Sequence, residues 1–147
     1  MSQIRFEKAD DKNWGFIQSL FPSDASVRWQ QIESDKIDVY AVFLDELCIG
    51  RMISNYDNHL LETETIPNER VCLSHLILLK EHRGKGYGTS LLEFTLDDLK
   101  RRGYTEFTVG VEEENLIAKH LYQAHGFTRI IDHGTDPCEY NLYLKKL

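Results

Sequence analysis

The chain has 147 residues, 41% of them hydrophobic and 28% charged, with 9 Gly and 3 Pro, the make-up of one globular domain and not of a disordered or collagen-like chain. Its 17 Lys and Arg against 24 Asp and Glu give a net charge of −7, which repels phosphate backbones and anionic lipid and so argues against nucleic-acid or membrane partners. Cys48, Cys72 and Cys138 are odd in number, widely spaced and without a C-x-x-C pair, as expected of reduced, half-buried strand residues. No apolar run follows a basic region at the N-terminus and no stretch of about 18 apolar residues occurs, so the expected location is cytoplasmic.

In chain order, Ile4-Arg5-Phe6 alternates as a short strand, and Trp14, Ile17, Leu20 and Phe21 fall at helical spacing over 11–21 before Pro22. Val27, Trp29 and Ile32, with the polar Gln30, Gln31 and Glu33, predict a second, short amphipathic helix, with Ser23 or Asp24 as its cap. Val39–Leu44 and Leu47–Ile53, separated by Asp45-Glu46, read as an antiparallel pair of strands. The polar stretch 55–69 is a loop of the length that usually carries function. Val71–Leu79, the most apolar run, predicts a central strand. A helix lined by Leu91, Leu92, Thr95, Leu96 and Leu99 follows, ending on Lys100-Arg101-Arg102 and Gly103. Phe107–Val111 alternates as a strand, 115–125 is helical up to Gly126, and Phe127–Ile131 and Tyr140–Leu144 are the last strands. No linker or repeat divides the sequence, which predicts a single domain over 1–147.

Between the central strand and the long helix stands His82-Arg83-Gly84-Lys85-Gly86-Tyr87-Gly88-Thr89. Three glycines in five residues let successive backbone N–H groups converge on one small volume. The helix start adds roughly half a positive charge, and Arg83 and Lys85 add two more, so a diphosphate is the natural occupant. Gly86 follows Gly84-Lys85 where a P-loop would have Ser or Thr, and Thr89 stands where a dinucleotide fingerprint needs glycine.

Arg83-Gly84-Lys85-Gly86-Tyr87-Gly88 matches R/Q-x-x-G-x-G/A, and Asn115 to Phe127 matches N-x-x-A-x-x-L-Y-x-x-x-G-F. With their interval of about 30 residues these motifs resemble the GCN5-related N-acetyltransferase (GNAT) superfamily, closely over about 70–131 and elsewhere by order of elements. The resemblance implies an α/β fold: a mixed, strongly twisted six- to seven-stranded sheet, helices on both faces and a splay between strands four and five. It implies acetyl-CoA as co-substrate. The backbone around Leu78, Leu79 and Lys80 would meet pantetheine, the segment Arg83, Gly84, Lys85, Gly86, Tyr87, Gly88 and Thr89 would hold pyrophosphate, and Asn115 would bond the pantetheine side.

Acetyl transfer to an amine needs a base to free the nitrogen lone pair and an acid for the departing sulfur. The resemblance implies Tyr122 as the acid. The base has no clear place: Cys72, Ser74 and Leu76 occupy the strand positions facing the acceptor in relatives. His75 lies on the opposite face unless a bulge turns it, and Glu112, at the end of the fifth strand, could draw a cationic amine or relay a proton. Trp29, Tyr56, His59, Glu62, Glu64 and Tyr140 are candidates to line the acceptor site, and no metal is expected. The expected acceptor is a small-molecule primary amine, less readily a peptide or protein, with a homodimer possible. The alternative is a CoA-binding sensor or interaction module without turnover.

Overall fold

Fifteen residues of the long predicted helix, and all seven strands, are recognisable in the computed structural model, which describes residues 2–57 and 60–147. The elements run β1 (Ile4–Lys8), α1 (Trp14–Ile17), α2 (Ala25–Glu33), β2 (Ile37–Leu44), β3 (Leu47–Asn55), β4 (Arg70–Leu78), α3 (Tyr87–Arg101), β5 (Glu106–Val111), α4 (Leu116–Ala124), β6 (Arg129–Gly134) and β7 (Tyr140–Lys146). They form a mixed seven-stranded sheet of order β1-β2-β3-β4-β5-β7-β6. The chain divides into two compact units, Met1–Ser54 with His75–Asp98, and Asn55–Ser74 with Leu99–Leu147.

In the first unit β1 and β2 pair antiparallel from Ile4↔Leu44 to Lys8↔Tyr40. The turn into β3 lacks glycine, but Asp45 takes φ 55°, a left-handed conformation that a short polar side chain tolerates. One face of β2 buries Val39, Ala41 and Phe43 with Trp14, Ile17, Cys48 and Ile53, and Leu20, Trp29 and Ile32 close over them. The other face turns Tyr40 to α3, where its hydroxyl donates to Asp98 at 2.6 Å and its ring meets Phe94 edge-on. Helices therefore cover both faces of this part of the sheet.

The first helix is shorter than its periodicity predicts. Asp10 Oδ1 accepts from the N–H groups of Lys12 and Asn13, and Asn13 Oδ1 accepts from Asp10 N–H, so local side-chain bonds displace the helical ladder until Trp14. Four residues of α-helix are below what propagation can sustain, and burial of Trp14 and Ile17 holds them. Asp24 sits at the N-cap of α2 but caps nothing with its side chain, which is committed to arginines.

In the second unit β4 and β5 are parallel through four pairs, Arg70↔Glu106 to Leu73↔Val109. β5 and β7 pair antiparallel from Glu106↔Lys146 to Val111↔Asn141. The sixth strand begins two residues later than the sequence suggests because Phe127 belongs to the end of α4. Its N–H donates to Tyr122 O at 3.0 Å and its ring packs edge-on against Tyr122, with Gly126 at φ 93° making the turn. Cys48 and Cys72 are buried strand residues, whereas Cys138 is exposed in the β6–β7 connection, correcting its expected place in a strand. No helix among the described residues is long and apolar enough to cross a membrane.

Candidate active site

The glycine turn lies wholly in the first unit. β4 leads through a 3₁₀ turn at Lys80–His82 into Arg83, and α3 starts at Tyr87. Gly84 and Gly86 take φ 75° and 85°, and a Cβ on either would meet no atom within 4 Å. Their glycines are thus required by backbone conformation, not by crowding. Gly88 belongs to the first turn of α3 without a positive φ, which separates its part from that of the other two. Ser90 N–H is bonded to Gly86 O at 3.1 Å, so the N–H groups of residues 87–89 precede the first intrahelical bond and point out of the helix start. Arg83 and Lys85 are exposed beside them, Arg83 with its Nε on the Leu78 carbonyl at 3.1 Å.

The strand before this turn is closely seated. A Cβ on Gly50 would overlap Leu78 and stand 2.9 Å from the Ile77 carbonyl oxygen, so glycine lets β3 approach β4. Leu79 N–H donates to Ile49 O at 2.8 Å, and the Leu79 and Lys80 carbonyls accept from His82 and Arg83. The Leu79 and Lys80 groups expected to meet pantetheine thus already carry internal bonds.

His75 has φ 54°, an uncommon left-handed conformation for a residue with a side chain, in the middle of a strand. β4 is bent there, and strict alternation does not hold. The ring is exposed, with Nε2 3.5 Å from Arg28 Nη2 of α2. Arg28 also holds Asp24, which receives the buried Arg51 at 2.9 Å. Arg51 depresses the Asp24 carboxyl, and Arg28 helps. Trp29, expected on the acceptor side, instead packs on the core of this unit and stacks on Trp14 with centroids 5.6 Å apart.

The second unit carries the second motif. Asn115 is the N-cap of α4, its Oδ1 accepting from Ala118 N–H at 3.2 Å, so part of its carboxamide is structural. Tyr122 is 6% exposed, and burial, with the Cys72 thiol adding to it, raises its phenol above the ordinary range. It therefore keeps its proton at neutral pH, as an acid must. Burial likewise pushes the Cys72 thiol up to about 12, opposed by a hydrogen bond to Thr108, and leaves it an inert neighbour.

A cavity of about 260 Å³ opens beside β5 and β7 and is lined by Glu112, Glu113, Glu114, His133, Cys138, Glu139, Tyr140 and Asn141. Its electrostatics suit a cation. Glu112 accepts from the Cys138 thiol at 3.1 Å, and Glu113 accepts from the Tyr143 hydroxyl at 2.6 Å and from Lys119. The Tyr143 phenol holds the Glu113 carboxyl below its usual range, and the Glu112 carboxylate raises the Cys138 thiol. The Tyr140 ring fills the room left by Gly110 and Gly134. Tyr56 lies elsewhere in this unit, stacked on Tyr104 at 5.7 Å and bonded through its hydroxyl to Arg102. His59 falls outside the described residues.

A family model described as the acetyltransferase (GNAT) family matches residues 5–127. The chain belongs to this family. Among relatives it is 34% identical over 101 residues to N-alpha-acetyltransferase 30 of Schizosaccharomyces pombe, covering 65% of this chain and 64% of that protein. The chain spans less than two thirds of the length of the curated relatives it matches. Solved GNAT structures share the fold. A Streptococcus pneumoniae acetyltransferase superposes with a TM-score of 0.74 at 17% identity over 99% of this chain and all of the other. A GNAT acetyltransferase of Elizabethkingia anophelis with acetyl-CoA bound superposes with a TM-score of 0.70 at 16% identity over 98% of each.

The GNAT motifs were visible in the sequence, but three other features were not. The Asp24–Arg28–Arg51 cluster was marked only by an arginine inside an otherwise apolar strand, the Cys138–Glu112 pair by nothing, and the burial of Glu64 by nothing local.

Proposed function

We propose that residues 1–147 act as one N-acetyltransferase domain that moves an acetyl group from acetyl-CoA to a primary amine by direct attack, with a small cationic molecule as acceptor. The observation that carries this is the turn at Gly84 and Gly86: positive φ at both, open space around both, a helix start behind and two cations beside. Those residues fit a pyrophosphate. Acetyl-CoA supplies an activated acyl thioester. Arg83, Lys85 and the N–H groups of residues 84–89 would hold its phosphates, Leu78 to Lys80 and the Asn115 side chain its pantetheine arm, and a backbone N–H near Leu78 the carbonyl oxygen.

Tyr122, kept protonated by burial, gives its proton to the departing sulfur. Glu112, in an acidic cavity with Tyr140, draws the ammonium group of the acceptor, and the exposed His75 passes a released proton to water. The acidic cavity favours a small cationic amine. Likeness to an N-alpha-acetyltransferase favours a second reading, in which the amine is a peptide N-terminus.

The test measures acetyl-CoA binding by calorimetry and free-thiol release with lysine methyl ester, putrescine, phenethylamine and a peptide beginning with Met. Thiol release with a small amine supports the first reading and release with the peptide alone supports the second. Binding without release from any amine identifies a sensor, and no binding at millimolar acetyl-CoA ends the reading altogether.

A further inference from the structure

The loop between β3 and β4 holds a carboxylate that is buried although its surroundings in sequence are polar. Glu64 is 6% exposed. The loop is pinned on both sides of it. Arg70 Nη1 donates to the Thr63 carbonyl at 2.9 Å, the Thr63 hydroxyl donates to Asp132 of β6, and the Glu64 carbonyl accepts from the Thr108 hydroxyl of β5 at 2.8 Å. One carboxylate oxygen accepts from Leu60 N–H at 3.2 Å.

These bonds seat Glu64 over a definite part of the sheet. Thr108 is paired in register with Cys72. On the same strand as Cys72, Ser74 Oγ takes a bond from Asn55 Nδ2 at 2.8 Å. Positions 72 and 74 are those where relatives were expected to place a base and where this chain has a thiol and a hydroxyl. Through its main-chain carbonyl, Glu64 of the neighbouring loop is bonded to Thr108, beside this row.

We propose that Glu64 is the group that takes the proton from the acceptor amine, replacing a base missing from β4, an assignment resting on the acetyl-transfer reading above. Burial raises the Cys72 thiol and the Tyr140 and Tyr122 phenols; the Glu64 charge adds to the first two, and the Cys72 thiol adds to the rise of Tyr122. Acid and base thus belong to one unit. Charged groups about the loop include Glu62 and Glu69 within it, Arg70, which is bonded to Glu106, Lys146, which also pairs with Glu106, and Asp132. The balance is simple. Glu64 takes one proton from the ammonium group, and the nitrogen bonds the acyl carbon as the carbon–sulfur bond breaks. Tyr122 gives its proton to sulfur, and the second proton of the nitrogen restores the phenol.

The test uses the whole chain with glutamate side-chain carboxyls labelled with ¹³C. The Glu64 resonance, identified by its loss in Glu64→Gln, should titrate at the pH of the rising limb of kcat/KM for the best amine of the thiol-release panel. Glu64→Gln should lose that limb and about a hundredfold or more of kcat/KM while binding acetyl-CoA and melting as the parent does. Glu64→Asp should keep the limb at a lower rate. An unchanged limb in Glu64→Gln overturns the assignment, as does a Glu64 midpoint more than about one pH unit from the limb. So does a Glu64→Gln protein that loses rate only because it melts lower, with Glu64→Asp no better. Loss of acetyl-CoA binding in the parent instead defeats the transfer reading itself.

Discussion

Asp24 receives two hydrogen bonds from Arg51, at 2.9 and 3.3 Å, and Arg51 is 3% exposed. A guanidinium taken this far from water needs its carboxylate, and the Phe21 ring 4.3 Å from its centre does not replace one. Arg51 holds the Asp24 carboxyl below the ordinary aspartate range. The native state therefore binds that proton less readily than the unfolded chain. Stability from the pair is complete above the ordinary range near pH ~4 and is lost as pH falls through the depressed value. Asp24→Asn should cost about 2–3 kcal/mol at pH 7 in urea melts, and the gap should close on acidification. An equal gap at both pH values would show that shape, not charge, holds the site.

The three glycines of the turn should respond differently. Gly84→Ala and Gly86→Ala force a Cβ into a left-handed conformation, costing about 1–2 kcal/mol of stability, and should weaken acetyl-CoA binding. Gly88→Ala meets Leu78 only at an ordinary 3.6 Å and sits in a helix, so its melting point should hold. Its acetyl-CoA affinity should hold as well, because the methyl packs toward Leu78 and Leu76 and the motif R/Q-x-x-G-x-G/A admits alanine at this position. Calorimetry beside thermal melts separates the two effects.

For Tyr122→Phe the expected outcome is a loss of about a hundredfold in kcat with acetyl-CoA affinity unchanged. Burial raises the phenol, so the parent should show no loss of acid function up to pH 9, and the variant should be slow across the whole range. Steady-state kinetics from pH 6 to 9 checks both. A fall in affinity matching the fall in rate would give Tyr122 a packing role only.

His75 offers a test of stored strain. At φ 54° glycine is preferred, so His75→Gly should be more stable than His75→Ala by about 1 kcal/mol, although glycine normally weakens a strand. Equal melting points would mean that β4 relaxes when the imidazole is removed.

Much of this architecture could be read from residue order. Apolar runs such as Val71–Leu73, and the glycines after Leu79, carry their meaning locally, and every strand and helix appeared in its expected place. Boundaries failed where side chains compete with the backbone, as Asp10 and Asn13 do before α1, or where a residue serves its neighbour's packing, as Phe127 does for Tyr122. The two motifs were legible for the same local reason. Glu64 was not placed so firmly, because what buries it comes from Thr108 and what pins Thr63 comes from Asp132, partners 44 and 69 residues away. Trp29, at helical spacing, suited a core as well as a ligand, and it stacks on Trp14.

The chain also carries its own attachment point for a reporter group. Cys48 and Cys72 are shielded and their thiols pushed up to about 11 and 12, whereas Cys138 faces solvent on the rim of the acidic cavity. A maleimide dye therefore goes to one position without engineering, more slowly than exposure suggests because Glu112 disfavours the thiolate. Its fluorescence would follow whatever enters beside Tyr140, turning occupancy of that hollow into an optical signal.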